Sequence, residues 1–274
     1  MRAIKTNGSI SVQAIAGTYV VLLGINMDET KKDGLLGFGI QRTDMTNNNE
    51  PVWLAGFKSF KNINLPRGTL VTTNQHPIQG FLWGDYTVRK DHQYRYRIVA
   101  MRGKPGELYE SDNVSVIVAM EKEKNEGHQV YFNRGVAGSQ AYVRKFGNKK
   151  PDSVGINAYN WLSRGLVEAL ISFIRQAEGP DWTVHAAVYE FQYIPILKEF
   201  KSAIDRGVQL QIIFDCKNEN KYDSEGKPKG PWKANLESLR DSGIPNSSLN
   251  SRKANPSYIS HNKFIVLLQN NVPK

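Results

Sequence analysis

The 274-residue chain is short of cysteine: Cys216 is its only one. That excludes an internal disulfide framework and any cysteine-based zinc cluster. It also fits a reducing compartment. No apolar run approaches the roughly 20 residues that a membrane-spanning helix needs. Near the start, Gly8, Ser9, Ser11 and Gln13 interrupt what would have to be the apolar run of a signal peptide. A cytoplasmic chain is therefore expected. Acidic residues are also in deficit, 26 against 36 basic ones, for a net charge of +10. Such a balance favours phosphate-bearing partners, nucleic acid or anionic lipid. The excess is spread along the chain. Its only modest clusters are Lys149–Lys150 and the stretch with Lys221, Lys227, Lys229 and Lys233. What is plentiful is aromatic: 11 Phe, 5 Trp and 12 Tyr, too many for a chain that cannot collapse. The length allows one large or two ordinary domains.

Residues 1–120 carry strand periodicity and little helix. Ile10, Val12 and Ala14 alternate with polar positions, and Tyr19–Leu23, Gly37–Ile40, Val52–Phe57 and Thr69–Thr73 are further short apolar runs. Turn residues at Lys32-Asp33-Gly34, Asn47-Asn48-Asn49 and Lys104-Pro105-Gly106 separate runs of this kind. Short strands at regular spacing predict a β-sandwich. In Tyr94-Arg95-Tyr96-Arg97-Ile98, the tyrosines and Ile98 share one face. That strip is either a half-buried strand with solvated arginines, the favoured reading, or a stacking surface for nucleic acid. Asn113–Val118 completes a terminal hairpin. The pair resembles the last two strands of a fibronectin type III domain, which implies such a sandwich over 1–120. The charged stretch 121–127 reads as a linker.

From 128 onward helices and strands alternate. Strands are expected at His128–Phe132, Thr183–Phe191, Val208–Phe214 and Phe264–Leu268. Helices are expected at Ser139–Phe146, Asn160–Glu178, Pro195–Arg206 and Trp232–Ser242, with glycines near several of their ends. This order predicts an α/β domain over 128–274 with a mixed or parallel sheet. His185 lies in an apolar strand and is expected to be a core histidine. Trp161, Trp182 and Trp232 are likewise read as core.

The chemistry-bearing pattern is His261-Asn262-Lys263, just ahead of Phe264–Leu268. On a strand, residues two apart share a face, so His261 and Lys263 can converge on one phosphate. An imidazole can attack phosphorus or carry a proton, and an ammonium can hold anionic oxygens. No metal and no cofactor is required by that pair. Alone, the three-residue pattern is weak.

In context, SHNKFIVL at 260–267 resembles the H-x-K motif of the phospholipase D superfamily. The upstream Tyr189-Glu190-Phe191, Arg206-Gly207-Val208 and Phe214-Asp215 resemble the preceding strand–helix–strand of that fold. Residues 131–147 resemble the entry region of bacterial phospholipase D-like proteins. The resemblance implies a phosphodiesterase that works through a phosphohistidine: one histidine attacks, a second from another H-x-K protonates the leaving oxygen, and water releases the product. His261 would be nucleophile or acid, and Lys263 the phosphate clamp. The chain departs from the family in two ways. Leu268 stands where the family usually has aspartate, and there is one H-x-K with no Gly-Ser-x-Asn segment after it. A shared site in a homodimer, or a truncated fragment, is the expectation that follows.

Weaker candidates are Glu190, which could orient a histidine by accepting a hydrogen bond from it, and Asp215, both near predicted strand ends. Asn133 and Arg134 could bind an anion ahead of the first short helix. Cys216 is expected to be an inert thiol. The resulting expectation is a hydrolase with nucleic acid as the favoured substrate and a phospholipid as its rival. A non-catalytic binding module, meeting a protein partner through the sandwich, is the rival from another class.

Overall fold

The computed structural model describes residues 1–61, 63–66, 68–125, 127–135, 137, 139–216, 222–226, 231–252 and 261–274. The chain divides into two compact units, Met1–Val130 and Tyr131–Lys274. The first is β-rich and the second mixes a sheet with helices.

The first unit holds β1 (Arg2–Asn7), β2 (Ile10–Ala16), β3 (Val21–Met27), β4 (Gly37–Asp44), β5 (Pro51–Trp53), β6 (Ala55–Gly56), β7 (Val71–Thr72), β8 (Leu82–Asp85), β9 (Gln93–Lys104) and β10 (Glu107–Ala119). A short pair, β11 (Lys124–Asn125) and β12 (His128–Gln129), follows within the stretch around the expected linker. Two four-stranded sheets form, in the orders β1-β2-β3-β8 and β10-β9-β4-β5, and β6 pairs with β7 separately. Alternation drives the arrangement: β2 and β3 bury every second residue, from Ile10 to Ala16 and from Val21 to Met27. Tyr94 and Tyr96 of β9 are almost fully buried in the same core. The tyrosine–arginine alternation thus faces its rings inward, and these two rings are not a stacking surface.

A buried polar knot lies within that core. The Asp85 carboxylate, 3% exposed, accepts from Arg42 Nη1 at 2.8 Å, Tyr96 OH at 2.9 Å and Thr87 Oγ1 at 2.7 Å. Burial opposes the Arg42 charge, but Asp85 more than offsets it and holds the guanidinium above its ordinary pKa.

The second unit begins with helices α1 (Gln140–Phe146), α2 (Pro151–Val154), α3 (Ile156–Ser163) and α4 (Leu166–Ile174). Ser139 caps α1 by accepting from the Tyr142 N–H at 3.2 Å. The single helix expected over Asn160–Glu178 is in fact two. Arg164 and Gly165 both take positive φ, 52° and 86°, which stops α3. Ser163 Oγ then accepts from the Val167 N–H at 2.9 Å and restarts the chain as α4. The apolar periodicity runs through the break, so periodicity alone hides it.

Next come β13 (Trp182–Val188), α5 (Ile194–Asp205), β14 (Gln209–Asp215), α6 (Trp232–Asp241), β15 (Leu249–Arg252), β16 (Phe264–Gln269) and β17 (Val272–Pro273). The sheet order is β15-β14-β13-β16-β17. β13, β14 and β15 run parallel, whereas β16 is antiparallel to β13. β15, with only Leu249 to signal it in sequence, was not expected. One sheet face, with Val184, Ala186, Leu210, Ile212 and Leu267, packs with residues of α4, α5 and α6 such as Ile174, Leu197, Phe200 and Leu239. The opposite face is exposed at His185, Gln211 and Ile213. The expectation of a core histidine at 185 therefore fails: its strand is buried on one side only, and its position falls on the other. Among the described residues no helix is long and apolar enough to cross a membrane.

Candidate active site

The sheet register fixes where the H-x-K residues lie. Ala187 near the end of β13 pairs with Phe264 at the start of β16. The chain entering β16 therefore meets the chain leaving β13 at the carboxyl end of the parallel strands. In open α/β sheets that end is where ligands bind. Tyr189, Glu190 and Phe191 follow β13, Asp215 ends β14, Arg252 ends β15, and His261-Asn262-Lys263 precede β16.

His261 and Lys263 are exposed, and strand geometry begins only at Phe264. Strict alternation thus does not bring the two together; Tyr189 does. The His261 imidazole lies edge-to-face against the Tyr189 ring with centroids 5.0 Å apart. Lys263 Nζ stands 5.4 Å from the centroid of the same ring and donates to the His261 carbonyl at 3.1 Å. A cation over an aromatic face is stabilised by the ring quadrupole. An imidazole and an ammonium thus share one half-buried ring at an open sheet end. Both are free to meet an anion from solvent. Ser260 of the motif lies outside the described residues.

The segment after β13 is held from below by Asn235 of α6, which is completely buried. Its Nδ2 donates to the Tyr189 carbonyl, and its Oδ1 accepts from the Phe191 N–H and from Gln192 Nε2, each at 3.0 Å. Phe191 also packs edge-on to Phe200 of α5, with centroids 5.6 Å apart. The sequence pattern gives Tyr189 only as part of Tyr189-Glu190-Phe191, with no role at the site, and does not point to Asn235. A signal for Asn235 existed: four residues before Leu239, it puts an amide in the apolar stripe of α6, where a weak helix former has no intrinsic reason to be.

The other expected residues are placed as follows. Glu190 is exposed beside Tyr189. Asp215 is fully buried, with its Oδ2 3.4 Å from Arg252 Nη1, an ion pair that the sheet end closes on itself. Cys216 is buried. Asn133 and Arg134 are engaged elsewhere. Asn133 Oδ1 accepts from the Gly135 N–H at 2.9 Å, while the Arg134 guanidinium donates to the Trp161 carbonyl and stands 4.6 Å from the centroid of that indole ring. Burial, and then the nearby Arg164, lower the Arg134 pKa. Trp161 in turn packs edge-on with Tyr142 and Phe146, so this group is a small aromatic cluster with a cation on it. Lys233 reaches the Tyr222 ring at 5.4 Å, whereas Lys221, Lys227 and Lys229 lie outside the described residues. No cluster of metal-ligating side chains occurs among the described residues.

No family model and no curated protein matches the chain. Among solved structures, the chain is similar to Nuc of Salmonella typhimurium, described as a phospholipase D family member. The identity is 27%, over 38% of this chain and 57% of that one, with a TM-score of 0.26. The chain thus spans little more than half the length of that protein. The likeness is partial, and none of the site's geometry is carried over from it.

Proposed function

We propose that the chain is a metal-independent phosphodiesterase of the phospholipase D kind, acting on nucleic acid through a phosphohistidine at His261. The observation that carries this reading is the meeting of His261 and Lys263 on one aromatic ring at the carboxyl end of parallel strands. In the proposed reaction a ring nitrogen of His261 attacks phosphorus, and the bond from phosphorus to the leaving oxygen breaks. The leaving oxygen takes its proton from a second imidazole. The second imidazole, now neutral, takes a proton from the water that attacks the phosphohistidine; the nitrogen–phosphorus bond breaks, and the phosphate monoester departs with both imidazoles back in their starting states. Lys263 balances the charge that builds on the non-bridging oxygens.

These 274 residues hold one H-x-K, so the second imidazole in the proposed reaction comes from another H-x-K, that of a second copy in a two-fold dimer or one in a longer form of the protein. The +10 charge supports nucleic acid over a neutral headgroup. The strands β2, β3 and β8 facing β10, β9, β4 and β5 support the fibronectin III-like reading of the first unit, with β1 added at one edge.

The test is cleavage of labelled single- and double-stranded DNA and of phosphatidylcholine vesicles, each with and without chelator, by wild type and His261→Ala. DNA cleavage by wild type alone supports the proposal; vesicle hydrolysis alone reassigns the substrate. Cleavage that survives His261→Ala, or that chelator removes, contradicts the mechanism. The single H-x-K and Leu268 favour one other reading, a site that binds phosphodiesters without cleaving them. It is supported if DNA binds and is released intact.

A further inference from the structure

The geometry points to Asn235 as a positioning residue that acts through Tyr189 on both His261 and Lys263. The inference rests on the phosphodiesterase reading for its consequence in turnover, but not for its geometry. Asn235 is 0% exposed, and among the described residues its side chain hydrogen-bonds to Tyr189, Phe191 and Gln192, which follow β13. Its amide orientation is fixed by what it meets. Two N–H donors, from Phe191 and Gln192, converge on Oδ1, and a carbonyl acceptor, that of Tyr189, takes Nδ2. Exchanging O for N would set donor against donor and acceptor against acceptor, so one rotamer state satisfies the buried group.

The consequence runs outward. A β-strand that has just ended has lost its ladder bonds, and the backbone polar groups that follow it need other partners. Here one side chain supplies partners at Tyr189 and Phe191, and this sets the direction in which the Tyr189 ring leaves the backbone. The ring then presents an edge-to-face contact to His261 and a face to Lys263. Neither His261 nor Lys263 sits in the strand ladder, so the ring is what orders them. Loss of the Asn235 amide leaves two part-buried backbone groups without that partner, frees the Tyr189 backbone and lets the His261 imidazole leave its position. A misplacement of about 1 Å at a reacting group costs on the order of 10²-fold in turnover.

The experiment uses the full chain labelled at histidine, with the His261 ring resonance identified by its loss in His261→Ala. In wild type the Tyr189 ring current displaces that resonance from the position of an exposed histidine, and Tyr189→Leu removes the displacement. Asn235→Ala is expected to remove it as well, and Asn235→Ser, milder in volume, to reduce it. Leu239→Ala is the control: it deletes a fully buried side chain one turn further along α6 that, being apolar, makes none of the hydrogen bonds holding the 189–192 segment. It is expected to lower the melting temperature and leave the His261 resonance in place. With a phosphodiester substrate, Asn235→Ala is expected to lower kcat about 10²-fold while KM stays within about twofold. An unmoved His261 resonance in Asn235→Ser and Asn235→Ala overturns the inference. So does an equal movement in Leu239→Ala, which would make Asn235 an ordinary core residue. If wild type cleaves nothing, the phosphodiesterase reading fails, and the resonance still decides the positioning claim.

Discussion

Tyr189 and His261 meet edge-to-face, 5.0 Å between ring centroids, although 72 positions separate them in the chain. The contact exists because β16 runs antiparallel to β13, so that the start of one lies beside the end of the other. An aromatic ring against an imidazole restricts its rotation, and the same ring holds the Lys263 ammonium on its face. The site is thus assembled by sheet topology and not by local sequence spacing.

Lys263 carries the charge that the proposed reaction needs. Lys263→Ala is expected to reduce kcat on a phosphodiester by about 10²–10³-fold, the cost of losing one preorganised charge-stabilising donor. Steady-state kinetics of the purified variant would check this. A loss confined to KM would mean that Lys263 only binds.

Nucleic-acid binding by a chain of net charge +10 should be strongly salt-dependent. Affinity for a single-stranded oligonucleotide is expected to fall by orders of magnitude as salt rises from about 50 to 200 mM. A flat salt response in a binding titration would argue against phosphate contacts.

The buried knot at Asp85 predicts a large stability effect in the first unit. Arg42→Met removes one partner of an ion pair whose carboxylate is almost fully buried and leaves that charge without its cation. The expected cost is about 3–5 kcal/mol, read as a shift in the urea midpoint. A cost under about 1 kcal/mol would place this pair with ordinary surface ion pairs.

Asp44 makes the stability of the first unit depend on acid. Burial pushes its carboxyl up, but the His92 hydrogen bond and the Thr46 N–H outweigh that and hold it below its ordinary value of 3.8. The folded chain therefore binds this proton less readily than the unfolded chain. The stabilisation is fully present above about pH 4 and is lost as the pH falls through the lowered folded value. Asp44→Asn is expected to flatten the acid limb of the stability curve, measured by urea unfolding between about pH 5 and pH 2. An unchanged limb would mean that the acid dependence comes from other carboxylates.

Much of the strand pattern was legible because it rests on alternation, as in Ile10-Val12-Ala14 and Tyr94-Tyr96-Ile98. Helices α1, α5 and α6 are legible from apolar periodicity and from glycines near several of the helix ends. The break at Arg164-Gly165 was not, because the apolar stripe is continuous across it. β15 was not, because four residues with one large apolar side chain carry too little signal. The exposure of His185 is not legible because an apolar run does not tell whether a strand is covered on one face or on both. At the site, His261 and Lys263 were visible as a motif. Tyr189 and Asn235 were not singled out, because their importance lies in contacts across the sheet and between helix and strand end.

The most direct test of the central claim is to trap the intermediate. The purified chain would be mixed with a phosphodiester bearing a good leaving group, quenched in alkali, where a nitrogen-bound phosphate survives, and examined by mass spectrometry. The account predicts a phosphoryl adduct on the peptide containing His261, present with chelator and absent in His261→Ala. Turnover with no adduct, or an adduct that persists in His261→Ala, would contradict it, as would a chain that cleaves none of the phosphodiesters at any concentration.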